Sequence, residues 1–182
     1  MKKIILLVLL CLGIVHTHNG QETPLKKVAS KHFKNLYKIN DGLYRAEQPS
    51  KKGFKEIELM GVKTVLNLRR LRNNTKKAAD FNFNLVHHSI KTKQLNEEDI
   101  LNALRVIKNA KEPVLVHCWH GSDRTGTIIA AYRMVMDNWS KEQAIKEFLI
   151  DDLGYHKHRY PNLLVLLRNL DIQKMKKKLA IT

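Results

Sequence analysis

The hydrophobic and polar positions of the chain follow two periods, one typical of strands and one typical of helices. Five short apolar segments bounded by turn residues are predicted as strands: residues 35–39, 42–46, 62–68, 84–90 and 113–118. The first two are joined by the turn dipeptide Asn40-Asp41. The last is a continuous apolar run, which is typical of a strand at the centre of a parallel sheet that is covered on both faces.

Apolar positions at helical spacing lie between and after these strands. Helices are predicted for residues 48–61, for the segment after Asn96, for residues 126–136 and 140–150, and from about residue 162 onward. Asn96 is a predicted N-cap, and Ser140 with Gln143 is a predicted capping box. The polar residues 69–82 are predicted as a loop with at most one helical turn. Because strands alternate with helices, we expect an α/β fold with a mostly parallel sheet of about four to five strands flanked by helices.

The length and the amino-terminal pattern set the domain organisation. The 182 residues are enough for one domain and too few for two ordinary ones, so residues 21–182 are predicted as a single domain. Lys2 and Lys3 precede a twelve-residue apolar run, which predicts a signal peptide over residues 1–20. Such a run spans only about 18 Å as a helix, against a hydrocarbon core of about 30 Å, so it is too short for a membrane anchor. We therefore expect a periplasmic or secreted protein with no stable membrane anchor once the signal is removed.

The net charge and the cysteine content limit which binding partners and disulfides are expected. The formal charge is +16, and loss of the two lysines in residues 1–20, which contain no acid, leaves +14. A surface of this sign attracts anions, although a solvated basic face is an equally good interpretation. The lysines are scattered, so no nucleic-acid partner is expected. Residues 21–182 contain one cysteine, Cys118, which rules out an internal disulfide in that part of the chain.

The stretch VLVHCWHGSDRTG, residues 114–126, carries the strongest chemical signal. A buried strand is predicted to end at Cys118, a loop to turn through Gly121, and a helix to begin near Arg124. At such a junction, backbone N–H groups and the helix dipole favour a bound anion, and an arginine adds a two-pronged donor that matches phosphate oxygens. The same positive surroundings favour a thiolate. A nucleophile and an oxyanion clamp are thus predicted to share one loop.

HCWHGSDRTG resembles the H-C-x5-R-[ST]-G signature of the cysteine-dependent protein tyrosine and dual-specificity phosphatases. Residues 42–50, 65–69 and 131–147 are similar to the compact, exported bacterial members of that family. The resemblance implies a phosphatase-like fold, with a phosphate loop between a central strand and a helix. It also implies a phosphomonoesterase that forms a phosphocysteine intermediate and needs no metal or cofactor.

The resemblance also implies roles for individual residues. Cys118 would attack phosphorus, Arg124 would bind the phosphoryl oxygens, and the Thr125 hydroxyl would hydrogen-bond the sulfur. The substrate-binding loop would consist of Trp119, His120, Gly121, Ser122, Asp123 and Arg124. His117 would orient this loop from behind the thiolate, or would be an ordinary core histidine.

The general acid is where the sequence departs from the commonest family pattern. That pattern places an aspartate on a separate loop before the cysteine, whereas the corresponding residues 89–94 contain no carboxylate. Asp123 is the preferred candidate, because myotubularin-type lipid phosphatases and some bacterial tyrosine phosphatases carry an aspartate at this loop position; its alternative role is to fix the loop. Asp99, Glu97 and Glu98 are further candidates, but acids are favoured in the first turn of a helix for structural reasons alone. The absence of any acid is the last alternative.

The substrate class stays open at this stage. The resemblance favours a protein tyrosine phosphatase of the dual-specificity type, with a phosphorylated protein as substrate. A phosphoinositide or inositol phosphate phosphatase is the alternative, given the basic charge and Asp123. A noncatalytic phosphate-binding module is the third.

Other charged residues near the motif allow two interpretations each. Four basic residues either steer phosphates or, more simply, are surface charges: Arg45, Arg69, Lys91 and Lys93. His87 and His88 are neighbours on a predicted strand and therefore point to opposite faces, so no metal site is expected there.

Overall fold

A computed structural model of the chain describes residues 25–181, and the predicted signal peptide lies outside the described residues. The strands are β1 (Lys26–Lys27), β2 (Tyr37–Asn40), β3 (Leu43–Ala46), β4 (Thr64–Asn67), β5 (Asn84–His87) and β6 (Val114–His117). The helices are α1 (Lys51–Leu59), α2 (Glu97–Asn109), α3 (Asp123–Val135), α4 (Lys141–Phe148), α5 (Pro161–Asn169) and α6 (Ile172–Leu179). Short 3₁₀ turns occupy Thr92–Gln94 and Asp151–Leu153.

The strands form one mixed sheet in the order β1-β2-β3-β6-β4-β5. β3, β6, β4 and β5 are mutually parallel, whereas β1 and β2 pair antiparallel at one edge. The predicted α/β class and parallel centre are confirmed. The described residues contain six strands rather than four or five, because β1 adds a two-residue edge strand whose exposed lysines show no apolar pattern.

The register of the central strands builds one functional edge. His117, the last residue of β6, pairs with Ala46 at the end of β3 and with Asn67 at the end of β4. Because the carboxyl ends of parallel strands meet at the same edge, the segments that follow β3, β4 and β6 converge there.

The sheet is covered on both faces. α1 packs on one face through Phe54 and Ile57, and the other helices pack on the opposite face in a larger core. Alternate residues of β6 enter the two cores: Leu115 faces α1, and Val114 and Val116 face the larger core. This double burial explains why β6 is a continuous apolar run.

Capping residues begin two helices, as predicted. Asn96 caps α2, and Ser140 forms a capping box with Gln143 at the start of α4. The carboxy-terminal helix is instead two helices, because the Asp171 side chain accepts a hydrogen bond from the Lys174 backbone N–H and begins α6 as a new helix. Within the described residues, no helix is long and apolar enough to cross a membrane.

Candidate active site

Residues 118–124, the phosphate loop, connect the end of β6 to the first turn of α3. Cys118 is buried, with 2% of its surface exposed. Gly121 has a φ angle of +74°, and a Cβ atom at this position would lie 2.5 Å from the carbonyl carbon of Ala46. The loop therefore presses against the end of β3, and a glycine is required at its turn.

The Arg124 guanidinium is oriented by backbone carbonyls. Its Nη1 donates to the carbonyl oxygens of Leu68, at 3.1 Å, and Ile90, at 3.4 Å. Its Nε is buried without a hydrogen-bond partner among the described residues, and the same is true of the Thr125 hydroxyl. Buried polar groups are normally paired, so two unpaired donors in the first turn of α3 are suited to an incoming anion.

His117 combines the two interpretations that the sequence left open. It is fully buried, and its Nδ1 donates to the carbonyl oxygen of Cys118 at 3.0 Å. Its Nε2 accepts from the side-chain amide of Asn74 at 2.7 Å. Burial lowers the pKa of His117 to about 4, so the ring is neutral at neutral pH and holds the loop as a hydrogen-bonding group.

A row of side chains extends this support away from the cysteine. The Asn74 Oδ1 accepts from the Gln48 side-chain amide at 3.0 Å, and the Gln48 Oε1 accepts from Arg69 at 2.8 Å. The Gln48 backbone N–H donates to the Trp119 carbonyl oxygen at 3.1 Å. Gln48 and Asn74 were not identified from the sequence, because a polar residue in a loop shows no pattern that marks it as buried.

The interpretation of Arg45 and Arg69 as surface charges is wrong. Arg45 is buried behind the phosphate loop and donates from Nη2 to the Gly121 carbonyl oxygen at 2.7 Å. Burial lowers the pKa of Arg45 to about 10, which leaves the side chain positive at neutral pH. Arg69 is also buried, and its guanidinium stacks on the Trp119 ring at 4.2 Å. Both arginines contact partners that are distant in sequence, so local pattern does not reveal their burial.

Asp123 holds a second segment of the chain against the loop. Its side chain is largely buried and accepts a hydrogen bond from the His156 backbone N–H at 2.9 Å. The His156 Nδ1 lies 3.0 Å from the other carboxylate oxygen, and the His156 ring packs beside His120. The structure therefore adds His156 to the site, although no motif in residues 154–160 indicated it.

The other candidate acids have structural partners. Asp99 accepts from the Asn96 backbone N–H at 3.2 Å, and its second oxygen lies 3.3 Å from His88 Nε2. Glu97 pairs with Lys174 at 3.0 Å, and Glu98 lies 3.8 Å from the Lys178 ammonium. These contacts match the capping and surface roles that acids commonly have in a first helical turn.

Trp119, His120 and Ser122 form the outer part of the loop. Trp119 and His120 are exposed, whereas Ser122 is buried and its hydroxyl lies 3.4 Å from the His120 carbonyl oxygen. The same carbonyl accepts from the Asn35 side chain at 2.8 Å.

A basic cavity of about 490 Å³, called here the Arg124 cavity, opens in front of Arg124. It is lined by Arg70, Ile90, Lys91, Thr92, Lys93, Gln94, Arg124, Arg159 and Tyr160. Five of these side chains are cationic and none is acidic. Lys91 and Lys93 are exposed and line this cavity, so they are both surface charges and placed to attract a phosphate.

One further cavity lies away from the phosphate loop, and the described residues contain no candidate metal site. A wider cavity of about 770 Å³, between residues 29–32 and α1, contains no residue of the phosphate loop. Within residues 25–181, no three His, Cys, Asp or Glu side chains lie close enough together to hold a metal ion.

Comparison with known proteins places this geometry among phosphatases. The chain is 30% identical over 115 residues to the dual specificity protein phosphatase TpbA of Pseudomonas aeruginosa, covering 62% of this chain and 52% of that protein. It is also 30% identical over 129 residues to the inositol diphosphatase DSP5 of Arabidopsis thaliana, covering 63% of this chain and 60% of that protein. The chain thus spans about half the length of the TpbA sequences that it matches.

Solved structures share the fold. The crystal structure of P. aeruginosa TpbA matches with a TM-score of 0.77 and 24% identity, covering 86% of this chain and 96% of that chain. The core catalytic domain of the PP-IP phosphatase SIW14 from S. cerevisiae matches with a TM-score of 0.70 and 21% identity, covering 82% and 93% of the two chains. At these identities the likeness establishes the architecture.

A match to a sequence-based family model shows which family the chain belongs to. The family model Tc-R-P, described as "Polymorphic toxin system, DSP-PTPase phosphatase", matches residues 40–138, which is more than half of the chain. This span runs from β3 through α3 and includes Cys118, Arg124 and Thr125. The chain belongs to this DSP-PTPase phosphatase family.

Proposed function

We propose that the chain is a cysteine-dependent phosphomonoesterase, most suited to phosphotyrosine in proteins. One observation carries the proposal: buried Cys118 directly follows β6 and begins a loop whose far end places the unpaired Arg124 Nε and Thr125 hydroxyl in the first turn of α3. A thiol, a guanidinium and a helix N-terminus in one loop provide a nucleophile and a clamp for the transferred group.

The first step transfers the phosphoryl group to sulfur. The Cys118 thiolate attacks phosphorus, the S–P bond forms, and the bond from phosphorus to the leaving oxygen breaks. Arg124 and the loop N–H groups bind the three other oxygens as charge spreads over them. The buried Arg45 guanidinium lies behind the loop, where its positive charge attracts the negative charge of an attacking thiolate.

The second step regenerates the free enzyme. Water attacks the phosphocysteine, the S–P bond breaks, and the thiolate leaves with inorganic phosphate as product. The Thr125 hydroxyl would donate a hydrogen bond to the departing sulfur.

Asp123 is the proposed proton donor for the leaving oxygen. It is adjacent to Arg124 in the first turn of α3. The backbone N–H of His156 donates to its side chain and the His156 Nδ1 lies 3.0 Å from it, so His156 holds the carboxyl group in place.

Hydrolysis of p-nitrophenyl phosphate tests the proposal. The full chain is expected to turn over this substrate with EDTA present, and Cys118→Ser is expected to lower kcat by about 10⁴-fold or more. Arg124→Met is expected to lose both turnover and binding. If Cys118→Ser retained wild-type turnover, the proposal would be wrong; if the wild type bound phosphopeptides without turnover, the chain would be a binding module.

A second substrate class, inositol phosphates, is favoured by one specific observation. The Arg124 cavity is lined by five cations and no acid, which suits a substrate with several phosphates. In an inositol diphosphate, the group that leaves when the phosphoanhydride bond breaks is a phosphate. It is much more acidic than the tyrosine phenol, whose pKa is about 10, so its departure depends less on a protein acid. A panel of phosphotyrosine peptide, phosphothreonine peptide, phosphoinositide and inositol polyphosphate, compared by kcat/KM, separates the two classes.

We also propose export to the periplasm or medium, on the basis of the apolar run in residues 4–15. Cell fractionation followed by amino-terminal sequencing of the mature chain tests this. A mature chain that still begins at Met1 in the cytoplasmic fraction would contradict it.

A further inference from the structure

Another cavity adjoins the phosphate loop at Trp119. It has a volume of about 440 Å³ and is lined by Gln48, Arg69, Leu71, Arg72, Asn73, Lys76, Lys77 and Trp119. We call it the Trp119 cavity. Trp119 directly follows Cys118 in the chain, so a group bound here lies beside the phosphoryl site.

The Trp119 cavity carries an uncompensated positive charge. Four of its lining residues are cationic and none is acidic: Arg69, Arg72, Lys76 and Lys77. Over the described residues 25–181, none of the four forms an ion pair with a carboxylate. The pKa of Arg69 is lowered by burial and by the positive charges of Arg72 and Arg124, so these cations repel one another and an anion between them would relieve that repulsion.

The same cavity exposes apolar surface. Trp119 is 55% exposed, although one face of its ring is covered by the Arg69 guanidinium. Leu71 is 80% exposed. Large apolar side chains at this exposure, beside cations, are typical of a surface that binds a partner with both apolar and anionic groups.

The wall of the cavity is held in place before any ligand binds. Arg69 donates to Gln48, which in turn contacts both Asn74 and the Trp119 backbone. The Asn74 amide also donates to His117. A preorganised wall loses less conformational freedom on binding than a flexible one.

We propose that the Trp119 cavity is a specificity site that binds acidic and apolar side chains next to the phosphorylated tyrosine of a protein substrate. This inference rests on the proposed phosphatase function and adds to it the sequence context of the substrate. A peptide supplies carboxylates for Arg72, Lys76 and Lys77 and apolar groups for Leu71 and Trp119. An inositol phosphate offers the anions but nothing to cover the apolar surface.

The experiment compares two phosphotyrosine peptides of equal length that both carry Leu beside the phosphotyrosine, an acidic peptide with Glu at the other flanking positions and a neutral one with Ser there. The test variant is Arg72→Ala/Lys76→Ala/Lys77→Ala, which leaves Arg69 and the phosphate loop unchanged. The control is Lys31→Ala/Lys52→Ala/Lys55→Ala, which removes the same charge from the cavity between residues 29–32 and α1. Rates are measured at two salt concentrations, with p-nitrophenyl phosphate as a substrate that has no flanking side chains for the cavity to bind.

The wild type is expected to prefer the acidic peptide by about tenfold in kcat/KM, in keeping with a few exposed charge pairs, and the difference should lie in KM. The test variant should lose this preference and retain its rate on p-nitrophenyl phosphate. The control should keep the preference, and added salt should weaken it.

Several results would overturn the inference. These are an equal preference for both peptides in the wild type, a preference that survives in the test variant, or the same loss in the control. Binding of both peptides to Cys118→Ser is measured by fluorescence anisotropy. This measurement tests whether the cavity binds acidic peptides even if no substrate is hydrolysed. Inositol hexakisphosphate is a competitor in that assay, and its binding through the same three cations without an acidic-peptide preference would assign the cavity to a different ligand.

Discussion

At the scale of single residues, the site depends on polar groups whose partners are themselves buried. His117 is neutral because burial lowers its pKa, and it is held between Asn74 and the Cys118 carbonyl. Arg45 supplies a positive charge under the loop and bonds to Gly121. A buried group that loses its partner pays the full cost of desolvation, so these contacts tolerate substitution poorly.

The Thr125 hydroxyl gives the first prediction. Thr125→Val removes a buried, unpaired hydroxyl and keeps the shape of the side chain. Hydrolysis of the phosphocysteine should slow by about 10- to 100-fold because the departing thiolate loses a hydrogen bond, a stabilisation on the order of 1.5–3 kcal/mol. Stopped-flow measurements with p-nitrophenyl phosphate should then show a burst of one equivalent of nitrophenol.

Thr127→Val is the matched control for this substitution. The Thr127 hydroxyl donates to the Asp123 carbonyl oxygen at 2.8 Å, on the same helix and equally buried. It should leave the two steps in their wild-type ratio. A burst in the control, or none in Thr125→Val, would contradict the assigned role.

The proton donor gives the second prediction. Asp123→Asn should lower kcat by about 10²- to 10⁴-fold for phenyl phosphate and much less for p-nitrophenyl phosphate, because the weaker leaving group needs the proton more. The dependence of rate on leaving-group pKa should steepen. Asp99→Asn is the comparison, and unchanged rates in Asp123→Asn would remove Asp123 from the mechanism.

The placement of site residues followed from the sequence where the contacts are local. Cys118, Arg124 and Thr125 lie within one strand-loop-helix unit, so their spacing predicted their placement. Burial of Arg45 depends on Gly121, which is 76 residues away, and the contact of Asp123 with His156 joins residues 33 apart. Such contacts arise from the folded topology and leave no local pattern.

At the scale of elements, the phosphate loop is shaped by the strand beside it. The loop turns at Gly121, where its backbone touches the end of β3 at Ala46 and Glu47. The parallel pairing of β3 with β6 sets this distance. The loop is therefore held by the sheet as well as by its own hydrogen bonds.

Gly121→Ala is the third prediction. The added Cβ would lie 2.5 Å from the Ala46 carbonyl carbon and 2.7 Å from the Glu47 nitrogen, so the backbone must shift. A displaced loop misaligns its N–H groups, and activity on p-nitrophenyl phosphate should fall by about 100-fold or more.

Gly61→Ala is the control that isolates the backbone strain of the substitution from the steric clash. Gly61 also has a positive φ, of 83°, but no neighbour lies within 4 Å of the added atom. It should lose about 1–3 kcal/mol of stability and no activity; equal activity losses in both variants would refute the steric account.

Element boundaries were predictable from sequence at two capping residues. Asn96 and Ser140 begin their helices as expected. The edge strand β1 and the break at Asp171 were missed, because β1 consists of two exposed lysines and because the apolar spacing of α5 and α6 continues across the break. The parallel core, with residues buried on both faces, produced a clear apolar signal.

At the scale of the whole molecule, the buried His117 links stability to pH. Above pH of about 6.5 the ring is neutral in both the folded and the unfolded chain. Between about pH 6.5 and pH 4 only the unfolded chain binds the proton, so the free energy of unfolding falls as the pH is lowered. By about pH 4 this loss amounts to about 3 kcal/mol.

His117→Gln tests this linkage. Urea unfolding at several pH values should show a weaker loss of stability below about pH 6.5 in the variant than in the wild type, whatever its stability at neutral pH. His158→Gln, at an exposed position, should follow the wild type. Identical pH slopes for all three proteins would mean that His117 is not the buried neutral group described here.

The central claim is that Cys118 accepts the phosphoryl group, and trapping the intermediate tests it most directly. The full chain is mixed with a phosphotyrosine peptide, quenched in acid during turnover, digested and mapped by mass spectrometry. Phosphate is predicted on the peptide that contains Cys118. Its amount should be larger in Thr125→Val than in the wild type, and Cys118→Ser should carry none. Product formation with no phosphate on that peptide, or with phosphate on another residue, would contradict the account.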